Sequence, residues 1–285
     1  YYSSTGPFTV RLITTSNNGC IDSVIKTVTD VFPQPQAVFT VKDSVCINEQ
    51  LSFTDLSTAS GSTLAKWHWS FGNGISSAMQ SPANTYRSPG SYTVKLAVQN
   101  IEGCVSDTAE KTITVWDYPV VNAGADIMML ETERKALTSV TASGSGLRYL
   151  WSPPDFLNNP RIKNPVIIEP QWDIVYTLEV IGLAGCKSSD DIAVKVLKLP
   201  KPPNTFTPNG DGINDVWEIK YLNEYPGSVV EIYNTAGTLL YRSIGYTSPW
   251  DGKWKGQLLP TGTYYFVIDL KYNQIRQTGY ITILR

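Results

Sequence analysis

Four side-chain oxygen donors fall within seven residues, at Asn209, Asp211, Asn214 and Asp215, in the stretch Asn209-Gly210-Asp211-Gly212-Ile213-Asn214-Asp215. Carboxylates and amides are the hard donors that calcium takes, so the stretch admits a calcium loop. It does not keep EF-hand spacing, because Ile213 stands where a ligand is needed and no Glu closes the loop. The same side chains can instead cap backbone amides in a Gly-rich turn, and the residue order favours that use. No cofactor is therefore required, and calcium stays an option. His68 is the only histidine, set between Trp67 and Trp69 in an alternating stretch. A Ser-His-Asp arrangement needs a nucleophile and an orienting carboxylate beside it, and the local sequence offers neither. Asp190 and Asp191 are adjacent, so on a strand they face opposite ways. Neither zinc spacing of Cys and His nor a phosphate-binding Gly-rich loop is present. The chain is expected not to be an enzyme. Trp250 and Trp254 flank a turn and are expected to be partly exposed, whereas Trp67 and Trp69 share a face and read as core.

These residues must be held by β-structure. The 285 residues include 16 Tyr, 8 Trp, 21 Gly and 18 Pro, with only 17% charged, a mixture of strand formers and turn formers. The net charge of −2 leaves no electrostatic footprint for nucleic acid or for an anionic membrane. GPFTVRLITTSNNGC at 6–20 and GSYTVKLAVQNIEGC at 90–104 repeat without a gap, so that Cys20 and Cys104 stand 84 residues apart. A weaker third copy ends at Cys186, with Tyr176, Leu178 and Val180 keeping the alternation. In the second copy Tyr92, Val94, Leu96 and Val98 point one way and Thr93, Lys95 and Ala97 the other, the period of a half-buried strand. Short strands with frequent turns predict an all-β chain of tandem immunoglobulin-like β-sandwich domains, ending in a small β-sandwich C-terminal domain. The boundaries expected are 1–31, 32–116, 117–198 and 199–285, the last preceded by a Pro-rich linker at 198–204.

Residues 37–115 carry Phe53 and Asp55, Trp69-Ser70-Phe71-Gly72-Asn73-Gly74, Pro82 and Tyr86, and Gly90-Ser91-Tyr92-Thr93-Val94. This set resembles a polycystic-kidney-disease (PKD) repeat, with Asn73 where that family usually has Asp. The resemblance implies an immunoglobulin-like sandwich, with 1–31 the last strands of an earlier repeat and 117–198 a divergent third one. Within such a repeat Cys46 precedes the second strand and Cys104 lies in the final hairpin, and a Cys46–Cys104 disulfide is expected. Cys20 then has its partner upstream of Tyr1, and Cys186 stays unpaired.

After the linker come Phe206-Thr207-Pro208-Asn209-Gly210-Asp211-Gly212 with Asn214-Asp215, Ile232-Tyr233-Asn234, Gly237, Trp250-Asp251-Gly252, and Pro260 with Gly262-Thr263-Tyr264-Tyr265. This pattern resembles the gliding-motility-associated, type B C-terminal domain of type IX secretion cargo, across 199–285. The resemblance implies a secretion address. It marks Phe206, Pro208, Asn209, Gly210, Asp211, Gly212, Asn214, Asp215, Trp250, Asp251, Gly252, Gly262 and Tyr264 as the residues read by the outer-membrane type IX translocon or a PorP/SprF-type barrel. A secreted, surface-located adhesin-like protein with its repeats as stalk is the leading expectation. A glycan-binding module contacting surface polysaccharide, or the non-catalytic tail of a secreted hydrolase, are the alternatives.

Overall fold

The computed structural model describes residues 6–29 and 31–285. Every extended element in it is a strand, and the helical content among the described residues is two 3-10 turns, Leu183–Gly185 and Leu222–Glu224. The chain falls into two compact units, one holding residues up to 122 with 140–150 and 178–190, the other 123–139, 151–177 and 191–285. No helix among the described residues is long and apolar enough to cross a membrane.

The alternation read in the sequence becomes the core of tandem β-sandwiches. In the first complete sandwich a five-stranded sheet runs in the order Ser44–Cys46, Ala109–Trp116, Gly90–Asn100, Leu64–Ser70, Ser76–Ser77. Opposite it lie the pairs Phe39–Thr40 with Thr54–Asp55 and Gln50–Ser52 with Ala83–Thr85. Val94, Leu96 and Val98 are fully buried, as their period requires. Trp69 sits between the rings of Phe39 and Phe53, at 5.1 and 5.7 Å, and its indole N–H donates to the Met79 carbonyl at 2.9 Å. Trp67 is half-buried and donates to the Asp55 carboxylate at 2.7 Å. Truncating a buried Trp of this kind costs about 3–5 kcal/mol.

The next sandwich repeats the design. Its main sheet runs Ile127–Leu130, Lys187–Leu197, Ile174–Ile181, Arg148–Ser152. Tyr176, Leu178 and Val180 are fully buried. Trp151 takes the place of Trp69, buried and donating to the Ile162 carbonyl at 3.1 Å. The N-terminal hairpin, Phe8–Thr15 against Ile21–Val28, has the same alternation but exposes its apolar side chains.

The expected Cys46–Cys104 bridge does not form. Cys46 is bonded to Cys186, 140 residues away, with their Cα atoms 5.7 Å apart, and Cys104 and Cys20 are free thiols. The strand Ser44–Cys46 runs parallel to Ala109–Trp116 and places Cys46 opposite Trp116. Gly90 pairs with Val115 at that same end, whereas Cys104 follows the turn at the far end of Gly90–Asn100. A strand of this length separates the two cysteines by roughly 30 Å at ~3.3 Å per residue. Cys186, expected to be unpaired, lies in the equivalent turn of the following sandwich and meets Cys46 where the chain leaves the first.

Candidate functional site

The terminal sandwich is built on a five-stranded sheet, ordered Thr205–Phe206, Arg276–Ile283, Gly262–Asp269, Val229–Tyr233, Leu239–Ile244. Val230 and Ile232 are fully buried, as the alternation predicts, and the turn 234–238 closes their hairpin. The edge strand Thr205–Phe206 pairs parallel with the C-terminal strand, Phe206 opposite Ile283. The loop that carries the oxygen donors leaves directly from this edge.

That loop is held by its own side chains. The Thr207 N–H donates to the Asn214 carbonyl at 2.9 Å and closes it. The Asp215 carboxylate accepts from the Gly210 N–H at 2.6 Å and the Gly212 N–H at 2.7 Å. Asn209 Oδ1 accepts from the Asp211 N–H at 3.0 Å, and Asp211 Oδ1 accepts from the Ile213 N–H at 2.8 Å. The Asn209 side-chain amide donates to Asp211 Oδ2 at 2.9 Å. Gly210 and Gly212 both have φ of 84°, with nothing within 4 Å of where a Cβ would stand. Backbone conformation, not space, requires glycine there. The Gly210 and Gly212 amides hold the Asp215 carboxyl below the usual carboxylate range. The donor oxygens of Asn209, Asp211 and Asp215 are thus turned toward amide hydrogens, the capping arrangement, and an ion would have to displace them. No group of three or more His, Cys, Asp or Glu among the described residues is placed to hold a metal.

The second motif stretch, 250–252, bridges to Trp217 and meets the first. Trp250, expected to be partly exposed, is buried. Its ring packs at 5.5 Å from Phe206, 6.2 Å from Tyr241 and 6.1 Å from Tyr264. The reason is the Tyr246 hydroxyl, which accepts from the Trp250 N–H at 3.0 Å while donating to the Trp217 carbonyl at 2.5 Å, so the turn folds Trp250 inward. Burial raises the Tyr246 phenol far above its ordinary value and keeps it a neutral donor. Trp254 stays at the surface, with the Lys255 ammonium 4.8 Å from its ring centre. Gly252 has φ of 74°, and a Cβ there would stand 3.2 Å from both Phe206 and Pro208. Its missing side chain is what lets the two motif stretches touch. Tyr264 is buried, with its hydroxyl donating to the Pro260 carbonyl at 2.9 Å, and Gly262 pairs with Ile283.

The motif residues therefore divide by role. Phe206, Trp250, Gly252 and Tyr264 build the support. Pro208, Asn209, Gly210, Asp215 and Asp251 line one groove of about 370 Å3, completed by Val216, Lys253 and Leu258. Lys253 pairs with Asp251 at 2.6 Å. Val216, Lys253 and Leu258 were not singled out in the sequence; the Asp251/Lys253 spacing across a tight turn was the one available signal. Asp211, Gly212 and Asn214 lie in the same loop outside that lining. His68 projects from the exposed face of its strand, and Asp190 and Asp191 share the strand Lys187–Leu197.

The chain shares these features with known families. Residues 200–283 match the CHU_C type IX secretion signal domain, and residues 33–115 match the PKD domain. Both domain types are non-catalytic. Among solved structures, the chain is similar to the PKD1 domain of the Vibrio cholerae metalloprotease PrtV, with 33% identity over 29% of this chain and 96% of that one, TM-score 0.26. It is similar to the PKD1 domain of Vibrio anguillarum Epp, with 29% identity over 30% of this chain and 96% of that one, TM-score 0.27. It is also similar to fibronectin(III)-like modules of Clostridium thermocellum CbhA, with 13% identity over 56% of this chain and 95% of that one, TM-score 0.32. No curated protein matches the chain.

Proposed function

We propose that this chain, a type IX secretion cargo with a PKD domain ahead of its C-terminal secretion signal domain, belongs to an adhesin-like cell-surface protein. Its terminal groove is the surface read by an outer-membrane barrel of the secretion machinery. The observation that carries this reading is the convergence of two distant motif stretches, 208–215 and 250–252, on one groove. Here Asn209, Gly210, Asp211, Gly212 and Asn214 are exposed, on a loop made rigid by its own amide caps. A rigid exposed loop presents a fixed shape to a partner at low ordering cost. Leu258 in the groove lining and Ile213 on the loop are also exposed and add apolar contact. The sandwiches ahead of it serve as a stalk. The loop needs no ion for its shape. A millimolar calcium titration followed by melting temperature is expected to give no shift, and a rise would assign the Asn209–Asp215 oxygens to a metal.

The test is affinity purification of the tagged whole chain from a type IX-secreting bacterium, with mass spectrometry of what accompanies it. An outer-membrane barrel that is lost on Leu258→Asp supports the reading. Recovery of polysaccharide alone would favour the glycan-binding alternative, for which Trp172 is the candidate. It is 55% exposed, but Phe156 meets its ring edge-on at 4.7 Å rather than forming a flat platform.

A further inference from the structure

The Cys46–Cys186 bridge has a fixed place in the repeat: it joins the end where one sandwich is left to the end where the next is entered. Cys46 lies opposite Trp116, the last residue of its sheet, and Asp117-Tyr118-Pro119 leads onward. Cys186 closes the turn whose Gly182 approaches Pro119, where an added Cβ would come within 3.2 Å of that ring.

Cys104 is the register equivalent of Cys186 one repeat earlier, and its surroundings are equivalent too. The N-terminal hairpin pairs Phe8, Val10 and Leu12 with Val28, Lys26 and Val24. The first complete sandwich pairs Tyr92, Val94 and Leu96 with Ile113, Lys111 and Ala109. The two hairpins thus share one register, and Val31 corresponds to Trp116. The next residue, Phe32, has its carbonyl oxygen 3.9 Å from Cys104 Sγ. The Gln34 side chain ties the same linker to the Val105 carbonyl at 2.9 Å. Cys104 therefore faces the joint with the preceding repeat as Cys186 faces its own.

The hairpin is also incomplete as a folding unit. Leu12 is 60% exposed where its counterpart Leu96 is fully buried, and Val10 and Val24 are likewise exposed. A two-stranded hairpin is marginal alone in water, and this one offers half a sandwich core. Cys20 cannot serve Cys104. It lies in the turn between Phe8–Thr15 and Ile21–Val28, one strand length, roughly 25 Å, from the Val28 end.

We propose that Cys104 is half of a second inter-repeat disulfide. Its partner is a cysteine on a strand that lies parallel to Ile21–Val28 beside Val31, supplied by further polypeptide of this same protein as it completes the hairpin's sandwich. The two thiols give up two protons and two electrons to a dithiol–disulfide oxidase of the exporting compartment, which is reduced to its dithiol. The stalk would then be stapled at successive joints by one rule, turn cysteine of one repeat to edge-strand cysteine of the repeat before it.

The experiment is non-reducing peptide mapping of the natural protein purified from its cells, with free thiols alkylated before digestion. The expected result is a Cys46–Cys186 peptide pair together with Cys104 linked to a cysteine outside the 285 residues, both lost on reduction. Alkylated Cys104, or Cys104 linked to Cys20 or to a second Cys104, would overturn the proposal.

Discussion

The two joints described above use one backbone position in two ways. Cys46 and Leu130 are equivalent: each ends a short strand paired parallel with the last strand of its sandwich, Cys46 opposite Trp116 and Leu130 opposite Leu197. Each is followed four residues later by the next strand, at Gln50 and at Arg134. At the first joint the position carries sulfur and forms a covalent bond. At the second it carries an apolar side chain, and Leu130 and Leu197, 3% and 4% exposed, belong to the core of the terminal sandwich itself, with Val230, Ile232 and Tyr225. Polar contacts surround that seam. The Glu224 carboxylate accepts from the Lys198 N–H at 2.8 Å, and the Tyr225 hydroxyl donates to the Lys198 carbonyl at 3.0 Å. Burial, helped by Glu224, pushes the Tyr225 phenol up to about 12, so it remains a donor at any physiological pH. Tyr272 donates to the Met128 carbonyl at 3.1 Å, and Asn273 to Glu133 at 2.6 Å. The lesson is that the secretion signal domain is not a bead on a stiff linker. It shares a core with the residues before it, and that attachment needs no oxidant.

The sharpest way to break the second joint is Leu197→Asp. An unpaired carboxylate at a buried site costs about 3–5 kcal/mol. Urea unfolding should show the terminal sandwich melting early while the Cys46–Cys186 bridge stays intact. Next comes the first joint. Cys186→Ser removes the bridge and should cost about 2–4 kcal/mol, read as a lower melting temperature for the first complete sandwich and as new chymotrypsin cleavage after Trp116, where the linker begins. The terminal sandwich should keep its transition, since its seam holds no sulfur. Asn273→Ala removes one exposed hydrogen bond at the second joint and should cost about 0.5–1.5 kcal/mol by the same urea assay.

The smallest expected effect is a pH dependence of the loop that carries Tyr272 and Asn273. Lys271, through its side chain and its backbone amide, and then Arg276, hold the Asp269 carboxyl at about 2. A carboxyl held below its unfolded value of about 4 contributes stability that is fully present above pH ~4 and lost as pH falls toward 2. Melting temperature followed across that window should decline, and Asp269→Asn should flatten the decline.

What could be read before the fold was known was periodic. Val94, Leu96 and Val98, and again Tyr176, Leu178 and Val180, reach full burial because a strand fixes every second side chain to one face. Trp69 was legible for the same reason. The disulfide was not, because pairing depends on which end of a sandwich each turn occupies, and a parallel edge strand reverses the end that sequence proximity suggests. The burial of Trp250 was not legible because the Tyr246 hydroxyl and the sequence-distant Trp217 N–H bind its backbone, while within the turn its indole bonds to the Lys253 carbonyl. Within the groove, the Gly-rich loop announced itself through residue types, but Val216 and Leu258 carry no motif and are brought there only by the meeting of Gly252 with Phe206 and Pro208. Nothing in the spacing of Leu130 and Leu197 reveals that they serve the core of the next sandwich.

The most direct measurement is export of a reporter fused ahead of the whole chain in a type IX-secreting cell, for the unaltered chain and for the exposed-loop variant Ile213→Ser combined with Leu258→Asp. Circular dichroism should first show that the double variant melts with the unaltered chain. The unaltered fusion should leave the cell, and the folded double variant should stay behind the outer membrane. Undiminished export of the folded double variant would contradict recognition through the groove and return it to a purely structural role.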